Sequence, residues 1–297
     1  MAEAKKEKKR RGDRKDAWLV RDVDSMHFIM PYNIPGRTAN EAVLNETIDI
    51  TPIEEYLAKK NYEGIGFKYT FFHVIAAAIA KTIVLRPKLN YFFSGHRLWE
   101  KKEISISFVA RKKFADDGGE ALITVKFDRN GIIPIEHVHN KIDKFVNAVR
   151  KDGGSNNDIG DIMDTLQKLP KFIFKFIMWA LKKMEYHGVY PQFLMDGDPY
   201  YSSCFITNLG SIKLHASYHH LAEWGTNSLF LVIGEKRPTV FAKPDGSVEV
   251  HDGIDLGVTI DERIADGYYY AQSIKIIRHL LAHPELLELP IETPVEF

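Results

Sequence analysis

At 297 residues, with 40 basic and 40 acidic side chains, the chain can form one large domain or two small ones and carries no net charge. That balance gives no global reason to expect nucleic acid or an acidic membrane as partner, and the single Cys204 excludes an intramolecular disulfide framework or a cysteine-based zinc site. No apolar run is long enough to span a bilayer, and the charged N-terminus lacks the apolar core of a signal peptide, so a cytoplasmic protein without a transmembrane segment is expected.

Residues 1–16 are basic and poor in apolar groups (Lys5, Lys6, Lys8, Lys9, Arg10, Arg11). Their composition predicts a disordered arm, or a weak electrostatic tether to an acidic partner. A single domain is expected over residues 17–297, ordered from about Trp18. Asn45 to Ile50 alternates polar and apolar residues, as a half-buried strand does. Thr51-Pro52-Ile53-Glu54 has the form of a capping box with proline at the first helical position, which predicts a helix to about Lys60. Lys68 to Arg86 predicts a helix buried on most sides and stopped by Pro87, with His73 as a core or helix-edge histidine.

Three strands are expected in 90–136, namely Tyr91–Phe93, Ile104–Val109 and Leu122–Phe127, with a turn at Asp116-Asp117-Gly118-Gly119. A short amphipathic helix follows over Ile142–Val149, then a loop over Asp152–Asn157. Within residues 155–200, Leu169–Met184 is amphipathic. At ~100° per residue Lys171, Lys175 and Lys182 fall within roughly 40° of one another, while Ile173, Phe176, Ile177, Ala180 and Met184 share another face. It reads as a helix packed on the core or a neighbouring subunit, as a lid over a binding channel, or as a membrane-surface helix.

Two stretches carry chemistry. Cys204-Phe205-Ile206-Thr207-Asn208-Leu209-Gly210 places a hydroxyl at a strand end before a tight turn, where it can face developing negative charge. Cys204 shares a strand face with Ile206 and not with Thr207, which predicts a buried structural thiol. Near the C-terminus, Asp261-Glu262-Arg263-Ile264-Ala265-Asp266-Gly267 sits between a strand-like run and a helix-like one, so each charge needs a partner or water.

Those motifs, in that order, resemble the dihydrolipoamide acyltransferases, the catalytic E2 domains of 2-oxo acid dehydrogenase complexes, which share the chloramphenicol acetyltransferase fold. Arg86-Pro87-Lys88-Leu89-Asn90 and Ile233-Gly234 with Arg237-Pro238 add to the resemblance, which covers most of residues 27–280. It implies an α/β two-layer sandwich, a mixed sheet covered by helices, and a homotrimer or a larger trimer-based assembly. No lipoyl or subunit-binding domain precedes the matching region, and 155–200 stands as a helical insertion longer than the family's usual link.

By resemblance Thr207 stands at the oxyanion-stabilising serine, Asp266 is a structural aspartate in need of a cation such as Arg263 or Arg37, and Gly267 makes a tight exit into the helix. Glu262 stands where the family has its catalytic histidine. An unperturbed glutamate, at ~4.3, lies about 4 units below a thiol at ~8.5, nearly 6 kcal/mol from a matched base; burial recovers about half of that. Glu262 is therefore a tuned base, a structural charge, or a ligand for a cationic or hydroxyl-bearing group. His215, His219 and His220, just after the Thr207 turn, are surface or hydrogen-bonding groups or a replacement acid or base; no metal site is expected.

The resemblance thus implies an acyltransferase that uses coenzyme A or acyl-CoA as substrate and a small-molecule acceptor, with Thr207 and Glu262 contributed by neighbouring subunits. The alternative is a catalytically inactive E2-like scaffold or ligand-binding protein. Thr207, Glu262, Arg263 and Asp266 are the candidate site residues.

Overall fold

A computed structural model describes residues 10–62, 65–111, 120–151 and 167–296. In chain order the strands are β1 (Ala17–Leu19), β2 (Glu41–Asp49), β3 (Tyr91–Ser94), β4 (Arg97–Lys101), β5 (Ile104–Arg111), β6 (Glu120–Phe127), β7 (Cys204–Asn208), β8 (Leu229–Ile233), β9 (Arg237–Ala242) and β10 (Val248–Asp261). The α-helices are α1 (Ser25–Asn33), α2 (Thr51–Lys60), α3 (Phe71–Leu85), α4 (Pro134–Lys151), α5 (Lys171–Tyr186), α6 (Gln192–Gly197) and α7 (Gly267–Ala282).

The main sheet runs β2-β10-β8-β7-β5-β6, with β9 paired to the first half of β10. It is mixed: β5–β7 and β7–β8 are parallel, whereas β10 is antiparallel to β2, β8 and β9. One face of the sheet, with Ile106, Ile206, Leu231 and Leu256, packs against α3, α4 and α7 in a single apolar core. On the other face Phe205, Phe230 and Val232 are covered by the loop that carries Ala216 and Leu221. A smaller sheet, β1-β4-β3, packs Ala17, Phe92 and Trp99 together.

Several local expectations change. Helix α3 begins at Phe71, because Thr70 caps it: the Thr70 N–H donates to His73 Nδ1, 3.0 Å away, completing a box closed by histidine. For α2 the box does not form; Thr51 is already helical, and its N–H is taken by the Asp49 carboxylate at 2.9 Å. The 90–136 stretch holds a further strand, β4, hairpin-paired to β3, and α4 starts at Pro134, since Ile135 and Val138 are buried along with Ile142. Residues 10–16 join the body: Arg14 is buried, pairs with Asp16 and lies over the Phe92 ring. The expected turn at 116–119, the loop at 152–157 and the first nine residues lie outside the described residues.

Candidate active site

Strand β10 ends at Asp261, which is fully buried. Its carboxylate accepts two hydrogen bonds from the Arg263 guanidinium, from Nε at 2.8 Å and Nη2 at 2.7 Å, and Arg37 Nε lies 3.7 Å away. The two guanidiniums are spread onto backbone oxygens: Arg263 Nη1 donates to the Pro35 carbonyl at 2.8 Å and Arg37 Nη2 to that of Gly225 at 3.0 Å. Such pairing is what allows three charges to leave water. It corrects the sequence reading, which gave the arginines to Asp266. Asp266 instead caps α7, accepting the Tyr269 N–H at 2.7 Å. Spacing alone could not say which of two nearby aspartates faces inward; burial of Asp261 decides it. Gly267 has open space around it, so no close approach demands glycine there.

Glu262 points the other way. Its N–H donates to the Asn40 carbonyl at 2.9 Å, and the Asn40 side chain in turn donates to the carbonyls of Ile34 and Gly36. The backbone is thus held, while the carboxylate is exposed and makes no hydrogen bond or ion pair with the described residues. It lines a cleft of about 590 Å³ between α1, β2 and α7, walled by Met26, Met30, Leu44, Tyr270 and Ile274. Burial and the neighbouring Asp261 push the Tyr270 hydroxyl far above its usual range, and it donates to the Asp261 carbonyl at 2.9 Å.

His27, which the sequence reading passed over, also lines this cleft; its Nδ1 lies 2.6 Å from the Asp24 carboxylate, which also caps α1. The signal was present as Asp24-Ser25 ahead of an apolar run, obscured by Pro31 inside it.

Thr207 is the penultimate residue of β7, half-buried, with its hydroxyl unbonded among the described residues. The turn after it needs Gly210, since a Cβ there would lie 2.5 Å from the Gly234 carbonyl oxygen. Thr207 pairs with Val232 of β8, whereas Asp261 donates its N–H to the carbonyl of Ser228, the residue just before that strand. Because β7 is parallel to β8 and β10 antiparallel, the two motifs end at opposite edges of the sheet. Four residues along the β8 direction and two strand spacings across put Thr207 roughly 16 Å from Asp261, the residue before Glu262.

The three histidines lie on no strand. Their loop crosses the sheet from one motif to the other, close enough over Gly257 that a Cβ there would lie 2.5 Å from the Ser217 carbonyl oxygen. His215 faces Glu235 at 3.5 Å, near the Thr207 turn; His219 stacks on Phe230; His220 Nδ1 lies 2.9 Å from Glu41, the residue opposite Asp261 in the register. Only His220 reaches the Glu262 edge, and it is largely exposed. Cys204 is buried, which pushes its thiol up to about 12 and makes it a poor nucleophile. Among the described residues no cluster of three metal-ligating side chains occurs, and no helix is long and apolar enough to cross a membrane.

No protein-family model and no curated protein matches the sequence. Solved structures do. A probable dihydrolipoamide acetyltransferase from Listeria monocytogenes is 17% identical, over 88% of this chain and 93% of its own, with a TM-score of 0.53. The cubic core of the pyruvate dehydrogenase multienzyme complex is 15% identical over 91% and 94%, with a TM-score of 0.53. A chloramphenicol acetyltransferase is 10% identical over 89% and 99%, with a TM-score of 0.55. The chain has the fold of the dihydrolipoamide acetyltransferase catalytic cores and of chloramphenicol acetyltransferase, as the motifs led us to expect.

Proposed function

We propose that the protein is an acyltransferase that moves an acyl group from a coenzyme A thioester to a small acceptor, in a site completed between copies of the chain. The observation that carries this reading is Glu262, a carboxylate unpaired among the described residues, on a fixed backbone at an apolar-walled cleft, where the resembling family holds its base. In the reaction the acceptor's hydroxyl, thiol or amine gives its proton to Glu262 and attacks the thioester carbonyl. The tetrahedral oxyanion accepts a hydrogen bond from a Thr207 hydroxyl, and collapse expels the coenzyme A thiolate, which takes up the proton.

His27, steadied by Asp24, is a second proton carrier in the same cleft. At opposite ends of the strands, Thr207 and Glu262 of one chain cannot serve one carbonyl, so the reading requires a homo-oligomer, a trimer or an assembly built from trimers. We place the protein in the cytoplasm on the same reading.

A second reading, an E2-like scaffold without catalysis, draws on one contrast. The buried Asp261 is paired with Arg263 and lies within ion-pair distance of Arg37, while the base position is an exposed glutamate.

Release of free coenzyme A from a panel of acyl-CoAs, with thiol, hydroxyl and amine acceptors, separates the two. Turnover that falls at least about a hundredfold in Glu262→Gln is expected. Loss in His27→Asn with Glu262→Gln still active would move the base to α1. Silence in the native protein, with activity only in Glu262→His, would establish the scaffold.

A further inference from the structure

Lys101 ends β4 inside the molecule. It is 6% exposed, and its amine donates to the carbonyls of Tyr201 at 2.7 Å and Ser202 at 2.6 Å. Those short distances, with the Phe92 ring centroid 5.6 Å from the nitrogen, are those of a charged amine. An ammonium has three donors, so one is left over. Among the described residues no carboxylate lies within ion-pair distance of it. Burial pushes Lys101 well below the ordinary lysine range, while Asp16 and Glu103 favour its charge from beyond pairing distance and Arg37 and Arg14 oppose it. A buried cation met only by carbonyl dipoles is costly unless a further group meets it.

Lys101 lines a cavity of about 260 Å³ between α6 and the place where β5, β7 and β8 begin. That is room for about eight waters. Ser105 and Thr226, both buried, also line it, and neither hydroxyl is bonded among the described residues. The carboxylates around the cavity are already engaged. Arg14 holds Asp16 at 2.9 Å, and Lys126 holds Asp196 at 2.8 Å and Glu103 at 3.2 Å. Asp198 accepts the Trp224 indole N–H at 2.8 Å and the Tyr200 N–H at 2.9 Å. What the cavity has to spare is donors: one ammonium N–H and two hydroxyls. Four lysines line it, and together with Arg14 they outnumber its four carboxylates by one.

We propose that this cavity binds a small monocarboxylic acid, whose carboxylate accepts the third N–H of Lys101 and the hydroxyl protons of Ser105 and Thr226. One negative charge balances the excess, whereas a phosphate dianion would overshoot it beside four carboxylates. Gln192 and Met195 of α6 offer the rest of the acid one polar and one apolar neighbour, and the volume suits a short hydroxy or keto acid. The cavity shares no lining residue with the Glu262 cleft and lies at the opposite end of β7 from Thr207.

Melting of the full chain with acetate, lactate, pyruvate or inorganic phosphate, at an ionic strength held constant with chloride, tests this. At least one of the three acids is expected to raise the midpoint saturably, by about 3 °C or more at a hundredfold excess over its Kd, with phosphate lacking that effect. Titration calorimetry should return one site per chain. Lys101→Met, which removes the charge and keeps the length, should abolish the shift. Ser105→Ala with Thr226→Val should weaken binding about tenfold. Because neither hydroxyl has a partner to lose among the described residues, this double variant keeps the melting temperature of the free protein and decides the matter even where Lys101→Met does not fold.

No saturable shift with any of the three acids, an equal shift with phosphate, or undiminished binding by the double variant would overturn the proposal. Coenzyme A release is a separate readout, so this site and the acyltransferase reading can each fail alone.

Discussion

In α3 every residue from His73 to Ile83 is buried, whereas in α5 none is. Both helices are rich in apolar residues. Helix α3 carries Ala76, Ala77, Ala78 and Ala80, small side chains that let it lie between the sheet, α4 and α7. Its one lysine, Lys81, is buried and donates to the Pro290 carbonyl at 2.8 Å. Helix α5 carries bulky aromatics and exposed lysines that meet no carbonyl among the described residues. An apolar helix goes to the centre when its residues are small enough to be surrounded and its polar atoms find partners; otherwise it stays outside, with apolar surface left over.

The largest test of that contrast is at the other buried charge cluster. Asp261→Asn would leave two buried guanidiniums without their counter-charge, costing about 4 kcal/mol and lowering the thermal midpoint by roughly 10 °C. Next, Ile75→Ala in α3, at a side chain with no exposure, is expected to cost about 3 kcal/mol in urea unfolding.

A pH series examines the same helix. His73 is held down to about 4, from an ordinary 6.5, first by burial and then by nearby His139. Its neutral form is the one the fold accepts, so its contribution is complete above the unfolded pKa. It is lost as pH falls from about 6.5 to about 4, by up to about 3 kcal/mol. His73→Gln should flatten that part of the stability curve. The smallest effect belongs to α5: Phe176→Ser should change unfolding free energy by less than ~0.5 kcal/mol. A large loss there would mean that the helix is held by its outer face and would break the comparison.

The sequence made α3, β7 and the Asp261 stretch legible because each is a local pattern: a run of small apolar residues, an alternation, a charged knot between apolar segments. What stayed hidden depends on distant partners. Nothing near Asp266 reveals that Asp261 has taken both arginines, one of them from 224 residues upstream. His220 and Glu41 are joined only because a loop crosses the sheet. His27 entered the cleft through a helix whose internal proline masked its pattern. In Thr51 a true local signal lost to a nearer acceptor, the Asp49 carboxylate.

The distance between Thr207 and Glu262 also sets how the protein would respond to mixing. If each copy lends its threonine to one neighbour and its glutamate to the other, a chain that lacks both residues disables two sites rather than one. Two inactive variants, Thr207→Ala and Glu262→Gln, would then recover activity on coassembly, because some junctions join the intact half of each. The smallest functional unit would be a junction between chains, and dilution that separates them would silence every copy at once.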